Sequence, residues 1–299
     1  MNRILTLSFI VLAGVGFIST TLAQEPDRTV QIQSLGVSDN LYLISGGGGH
    51  TAMLITEKHG VVLVDTKNPG WGPSITDAVK AVTEEPITTI INTHGHNDHV
   101  GSNAHFPNIT RIISHENARD SLAKSPVNQE GGHFLPTETF QEKLAIFDGR
   151  DQIDLHHFGS AHTDGDTIVV FPALKTAHVG DLFARKAAPY IDRNNGGSGL
   201  AYPETLSAAI AALTDIARVI PGHAPPPKGS PMQEWLTWDD FRTHSNFTHD
   251  LVSGIKSAHA AQKSVDEALA TFMLQDKYPE YDLTDVRSVT EILYDELNN

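Results

Sequence analysis

The stretch Thr93-His94-Gly95-His96-Asn97-Asp98-His99-Val100-Gly101 decides how this chain is read. Histidines 94, 96 and 99 and Asp98 crowd a single short segment. Imidazole nitrogens and carboxylate oxygens are the donors that hold zinc and similar divalent ions. The apolar, β-branched run at 88–92 leads straight into them and reads as a strand. A solvated loop has no need of so many donors at this spacing, so the cluster reads as a metal site at a strand end.

Three later segments repeat the arrangement: Ala161-His162-Thr163-Asp164-Gly165, His178-Val179-Gly180-Asp181 and Pro221-Gly222-His223. In each a donor residue sits next to glycine, where the backbone can turn sharply and aim a side chain inward. Each also lies where a β-run meets a loop, the usual place for functional groups on a rigid scaffold.

Between these segments strands are expected at 30–33, 41–44, 52–55, 61–64, 88–92, 111–113, 153–156, 168–171, 176–179 and 219–220. Helices are expected at 73–85, ended by Pro86, and at 116–124 and 203–213. Residues 125–150 read as irregular and polar. After Pro225-Pro226-Pro227 the pattern turns helical, at 238–261, from a capping box at Ser264–Glu267, and at 285–297. This order suggests two mixed sheets with helices outside. Among the remaining histidines, His50, His133, His156, His157 and His178 are expected to pack or face solvent. His244, His249 and His259 are expected on helix surfaces.

The N-terminus reads as a separate piece. Arg3, an apolar run to about Ile18 and the small-x-small site Thr21-Leu22-Ala23 fit a secretory signal peptide over 1–23, with Gln24 first in the mature chain. The run is short for a spanning helix. The expected divisions are therefore a signal peptide at 1–23, a catalytic domain at 24–228 and a helical extension at 229–299. Export places the protein in the periplasm or outside the cell, with no membrane attachment after cleavage. The chain has no cysteine, so no disulfide can brace it. With 36 acidic against 21 basic residues and a net charge of −15, the surface repels nucleic acid and anionic lipid. The expected partner is a small-molecule substrate, and monomer and homodimer both stay open.

Taken together, the HxHxDH motif and the later His162, Asp181 and His223 resemble the metallo-β-lactamase-fold superfamily of hydrolases over roughly residues 30–225. The resemblance implies an α+β fold, a four-layer αβ/βα sandwich. It also implies that His94, His96 and His162 hold one metal and that Asp98, His99 and His223 hold a second, with Asp181 bridging them. Asp65, at the end of the 61–64 run, matches an aspartate that orients the ligand loop without touching metal. Two Zn²⁺ are the default; Mn²⁺, Fe²⁺ or Co²⁺ suit the same nitrogen and oxygen donors. Such a pair activates a bridging hydroxide for attack on a carbonyl, with Asp98 orienting it or moving its proton. No Gly-x-Ser-x-Gly elbow supports an acyl-enzyme alternative.

Within the family, lack of cysteine excludes the cysteine-ligated β-lactamases. Asp181 resembles the bridge of lactonases and glyoxalase II-type thioesterases, and export disfavours the cytoplasmic glutathione thioester. The expectation is an exported binuclear hydrolase of a lactone, β-lactam or related ester or amide. A persulfide dioxygenase-like iron oxidoreductase and a dedicated β-lactamase are the alternatives. In the segment 184–200, Tyr190 and Asn195 are candidate donors to a developing oxyanion.

Overall fold

A computed structural model describes residues 28–36, 40–106, 109, 111–124, 135–223 and 236–299. The expected signal peptide, His133 and the expected 228/229 boundary lie outside the described residues.

The first sheet runs in chain order: β1 (Gln31–Ser34), β2 (Leu41–Ser45), β3 (Thr51–Ile55), β4 (Val61–Val64), β5 (Ile87–Ile91), β6 (Arg111–His115) and β7 (Glu138–Phe140). Strands β1 to β4 form an antiparallel meander, and β4 to β7 are parallel. The parallel part needs crossovers. These carry helices α1 (Gly72–Lys80), α2 (Asn97–Val100) and α3 (Glu116–Lys124). The second sheet has the order β13-β12-β11-β10-β9-β8. Its strands are β8 (Lys143–Ile146), β9 (Ile153–His156), β10 (Ile168–Phe171), β11 (Thr176–Gly180), β12 (Arg218–Pro221) and β13 (Leu236–Thr237). Helix α4 (Tyr202–Ala212) links the parallel pair β11 and β12. The chain closes with α5 (Trp238–Ala260), α6 (Val265–Leu269), α7 (Leu274–Lys277) and α8 (Val286–Asn298).

Side chains alternate across a strand, and in central strands such as β3, β4 and β10 both faces are buried, so these read as near-continuous apolar runs. On β4, Val62 and Val64 meet Val169 and Phe171 of β10 between the sheets. Val61 and Leu63 face outward to Ile75 and Val79 of α1. On β10, Ile168 and Val170 face the other way, into a core shared with Leu206 of α4, Phe241 and Leu251 of α5, and Leu293 of α8. Helix, sheet, sheet, helix is the observed layering, as the resemblance implies. The C-terminal helices supply most of the outer layer on the second sheet.

Three local expectations are corrected. The region 125–150 contains two short strands, β7 and β8. Both sit at sheet edges and are half exposed, so their polar residues mask the alternation. Helix α1 stops at Lys80, not 85, because β-branched Val82 and Thr83 and the residue before Pro86 disfavour further helix. His244 is not on the surface: it is buried on the inner face of α5, its ring stacked 4.4 Å from that of Phe183.

Candidate metal centre

The topology brings every expected donor to one edge of the sandwich. Strands β4 and β5 are parallel, so Asp65 and the 92–94 turn leave side by side. His96 caps α2, and Asp98 and His99 lie on its single turn. In the second sheet β11 and β12 are parallel, with Gly180 opposite Pro221, which sets Asp181 beside His223. The loop bearing His162 enters β10, which is antiparallel to β11, and so arrives at the same edge. Close approach at this edge requires glycine at 222, where a Cβ would stand 1.9 Å from Asp181 Oδ1.

The donors converge in two groups. His94, His96, His162 and Asp181 form one, and Asp98, His99 and His223 the other, with donor atoms of each group within 4.8 Å of one another. An ion with bonds of roughly 2 Å can draw such a group together. Asp181 lies between the groups. Its Oδ1 is 3.3 Å from His99 Nε2, and its Oδ2 is 3.3 Å from His223 Nε2 and 3.7 Å from His162 Nε2. Asp98 Oδ2 is 3.2 Å from His223 Nε2.

The rear partners of the histidines decide which nitrogen faces inward. His99 Nδ1 donates to Asp65 Oδ2 at 2.7 Å. The Thr93 hydroxyl also donates to Asp65, at 2.7 Å, so the 3.0 Å contact between Thr93 Oγ1 and His94 Nδ1 is a bond donated by the imidazole. His162 Nδ1 donates to the Tyr190 carbonyl at 2.9 Å, and His96 Nε2 to Asp192 Oδ2 at 2.8 Å. Each ring thus turns its other nitrogen into the centre, as a bare lone pair wherever the ring is neutral. Two of those lone pairs nearly touch, with His96 Nδ1 and His162 Nε2 3.0 Å apart, while His99 Nε2 and His223 Nε2, 3.1 Å apart, both face the Asp181 carboxylate. Buried His94 Nε2 and Asp181 Oδ1 make no hydrogen bond at all. Facing acceptors without a donor between them need a cation, so the residues present fit a pair of divalent ions.

Electrostatics agree. Burial holds His94 well below the usual imidazole range, helped by His99 and His162, and pushes His162 down to about 4. Burial also opposes charge on His99 and His223, but Asp181 with Asp65 raises His99 well above 6.5, and hydrogen bonds to Asp181 and Asp98 lift His223 to about 9. Burial works against charge on Asp181 too, and is outweighed chiefly by His99, so its carboxyl stays well below the normal range. Before an ion binds, protons on His99 and His223 balance the carboxylates. Because the folded value for His223 is raised, its pairing stabilises the ion-free fold fully below about 6.5 and fades as pH rises through about 9. Ion binding must expel those protons. Calorimetric titration with Zn²⁺ at pH 7, in buffers of different ionisation enthalpy, is expected to show release of about one to two protons. Affinity should climb with pH up to about 9. A buffer-independent heat would contradict this arrangement.

Beside the donors opens a cavity of about 520 Å³. His162, Asp181 and His223 form its inner wall, and Ala184, Ala187, Ala188 and Pro189 are among the residues lining the rest. Tyr190 lines it too and is 63% exposed, so its hydroxyl is free to meet a ligand. Asn195 is not brought to the cavity. Its Nδ2 donates to Asp192 Oδ2 at 2.6 Å, behind His96. Asp65 is fully buried and accepts from the Thr93 amide as well as from Thr93 Oγ1 and His99. Of the other histidines, His50 bonds the Pro221 carbonyl and His178 the His50 carbonyl, tying loops together beneath the centre. Sequence reasoning missed Asp192, which stands 96 residues from the ring it orients. The only signal for it was an acidic residue opening the run Asp192-Arg193-Asn194-Asn195.

Comparison with known proteins identifies the family and the fold. A family profile described as the metallo-beta-lactamase superfamily matches residues 45–223. The human protein "Metallo-beta-lactamase domain-containing protein 1" is 28% identical over 188 residues, 60% of this chain and 64% of that protein. The chain therefore spans under two thirds of that relative's length. Among solved structures, the sec-alkyl sulfatase PisA1 superposes with a TM-score of 0.70 at 11% identity, covering 90% of this chain and 50% of the sulfatase. The metallo-beta-lactamase FIM-1 from Pseudomonas aeruginosa, in a mono-zinc form, superposes with a TM-score of 0.56 at 15% identity, over 76% of this chain and 98% of that one.

Proposed function

From the premise that the chain belongs to the metallo-beta-lactamase superfamily of metal-dependent hydrolases, we propose that it is an exported binuclear zinc enzyme that opens a lactone, β-lactam or related small ester or amide. The observation that supports this reading is the set of inward imidazole nitrogens and carboxylates at one wall of an open cavity whose lining, among the described residues, contains no serine or cysteine. Two bound ions would supply a water activated near neutral pH and Lewis acidity towards a carbonyl oxygen. His94, His96 and His162 would hold the first ion, Asp98, His99 and His223 the second, and Asp181 would serve both.

The chain's own groups do the rest. Asp98 is the most exposed of the donors on α2, with its side chain 34% accessible, and lies within hydrogen-bond reach of His223. It is placed to hold the proton that the attacking water gives up. Tyr190 lines the cavity with its ring 5.6 Å from that of His162, and its hydroxyl stays protonated, since burial raises its pKa further. It is placed to donate to the oxyanion formed as the carbonyl carbon becomes tetrahedral. The small side chains of Ala184, Ala187, Ala188 and Pro189 leave room for an apolar substituent of the substrate.

The test is a hydrolysis screen of the zinc-loaded mature protein against acyl-homoserine lactones, simple lactones, β-lactams, thioesters, phosphodiesters and alkyl sulfates. Ring opening of lactones or β-lactams that is lost on chelation and restored by zinc supports the reading. Turnover confined to sulfate or phosphate esters, or bound iron with oxygen consumption, overturns it.

A further inference from the structure

Helix α8 is tied through a carboxylate to the loop beside the centre. Glu296, near the end of the chain, has a side chain only 7% exposed. Its Oε1 accepts from the Gly199 amide at 2.9 Å and from Arg193 Nη1 at 2.7 Å. Its Oε2 accepts from Ser198 Oγ at 3.0 Å and from the Leu200 amide at 3.1 Å. A buried carboxylate with four donors is fully satisfied and hard to move. Beside it, Leu293 packs so closely on Gly199 that a Cβ there would come within 2.4 Å of its Cδ1.

What Glu296 holds is the loop that backs the first donor group. Asp192 accepts from His96 Nε2, and Tyr190 accepts from His162 Nδ1. The Asp192 amide donates to the His162 carbonyl at 2.9 Å, and the Ser198 amide to the Ala161 carbonyl at 3.0 Å. The Gly197 amide closes the loop on the Asp192 carbonyl at 2.8 Å. Two of the first group's histidines therefore take their orientation from residues 190–200, and residues 193–200 take theirs from α8. In the second group His99 leans instead on Asp65, in the first sheet, and the His223 amide on the Ala184 carbonyl, so neither is tied to the 190–200 loop that Glu296 holds.

We propose that Glu296 is a positioning residue for the first donor group, through which the C-terminal helix sets how tightly that group holds its ion. The proposal rests on the reading that these groups bind metal. Rear partners of metal-bound histidines are worth about 10–100-fold in affinity. Loss of Glu296 acts one step further back and is expected to weaken the first ion about 10-fold.

The experiment is chelator competition for Zn²⁺ on full-length mature protein, with the groups separated by background. In His223→Ala the remaining tight ion reports the first group; in His94→Ala it reports the second. Glu296→Gln should weaken the ion about 10-fold in the first background and leave it within about two-fold in the second. Glu296→Asp should recover part of the loss. Asp192→Asn breaks the same link at its other end, so it should reproduce the first-group loss, and adding Glu296→Gln to it should change little further. Equal weakening in both backgrounds, no weakening in either, or independent additive losses for the two sites would overturn the proposal. Wild-type protein that binds no Zn²⁺ overturns the metal reading itself, whereas wild-type binding with an indifferent Glu296→Gln overturns only the link.

Discussion

If the proposed pair of ions is bound, replacing Asp181 by alanine is expected to lower turnover by about 10³-fold or more and to leave at most one tightly bound ion per chain. The geometry sets the size of this effect. Asp181 lies within 3.3–3.7 Å of His99, His223 and His162, so it is the one carboxylate that both donor groups share. Without it each group keeps its imidazoles but loses the negative charge that makes two nearby cations tolerable. Losing a transition-state contribution of several kcal/mol is a loss of several powers of ten in rate. Metal analysis of gel-filtered protein together with steady-state turnover checks the expectation. A variant that keeps two ions and turnover within ten-fold of wild type would remove Asp181 as the bridge. Gly222→Ala reaches the same end from the other side, since its methyl group would occupy space 1.9 Å from the Asp181 oxygen.

Asp65→Asn is expected to weaken ion binding about 10–100-fold and to destabilise the ion-free fold by about 3 kcal/mol. Asparagine keeps the shape and tolerates the positive φ of 66° found at this position. It does not keep the chemistry. Three donors point at the two carboxylate oxygens: the Thr93 amide, the Thr93 hydroxyl and His99 Nδ1. An amide side chain offers one acceptor oxygen and sets its NH₂ against the remaining donors, all of them buried. Freed from Asp65, the Thr93 hydroxyl can turn toward His94, so the inward lone pairs of both His94 and His99 lose their definition. For a chain of this length, about 3 kcal/mol corresponds to a fall in melting temperature of roughly 6–12 °C. Thermal melts with and without zinc, and chelator competition on the folded variant, measure the two effects separately. An unchanged melt would show that Asp65 carries no strain-bearing network.

The donor set was readable in the chain because its signals are local. HxHxDH packs its members on one turn, and glycine marks each of the later strand ends. The layer order was readable for a similar reason: strands such as β2 to β4 and β10 are buried on both faces and stand out as apolar runs, while β9 alternates. What escaped notice acts across distance. Asp192 and Glu296 are ordinary polar residues until the fold sets them 96 residues from His96 and 98 from Ser198. Edge strands β7 and β8 escaped because half of each faces water. His244 escaped because a single polar residue on an amphipathic helix looks like a surface group, while stacking on Phe183 draws it into the core. Asn195 looked like a ligand-facing amide for the opposite reason: nothing in a loop sequence says which side of a turn an amide will serve.

The division of donors between the two sheets has a mechanical consequence. His94, His96, Asp98 and His99 follow β5, while His162, Asp181 and His223 belong to the second sheet's strands and loops. Each ion bound there is therefore a cross-link between the halves of the sandwich, in a chain with no cysteine to make a covalent one. Ligand binding to the folded state alone adds about 2.7 kcal/mol at a hundred times the dissociation constant. The same ions that would run the chemistry would also act as rivets, and a cell starved of metal would hold a looser protein as well as an idle one.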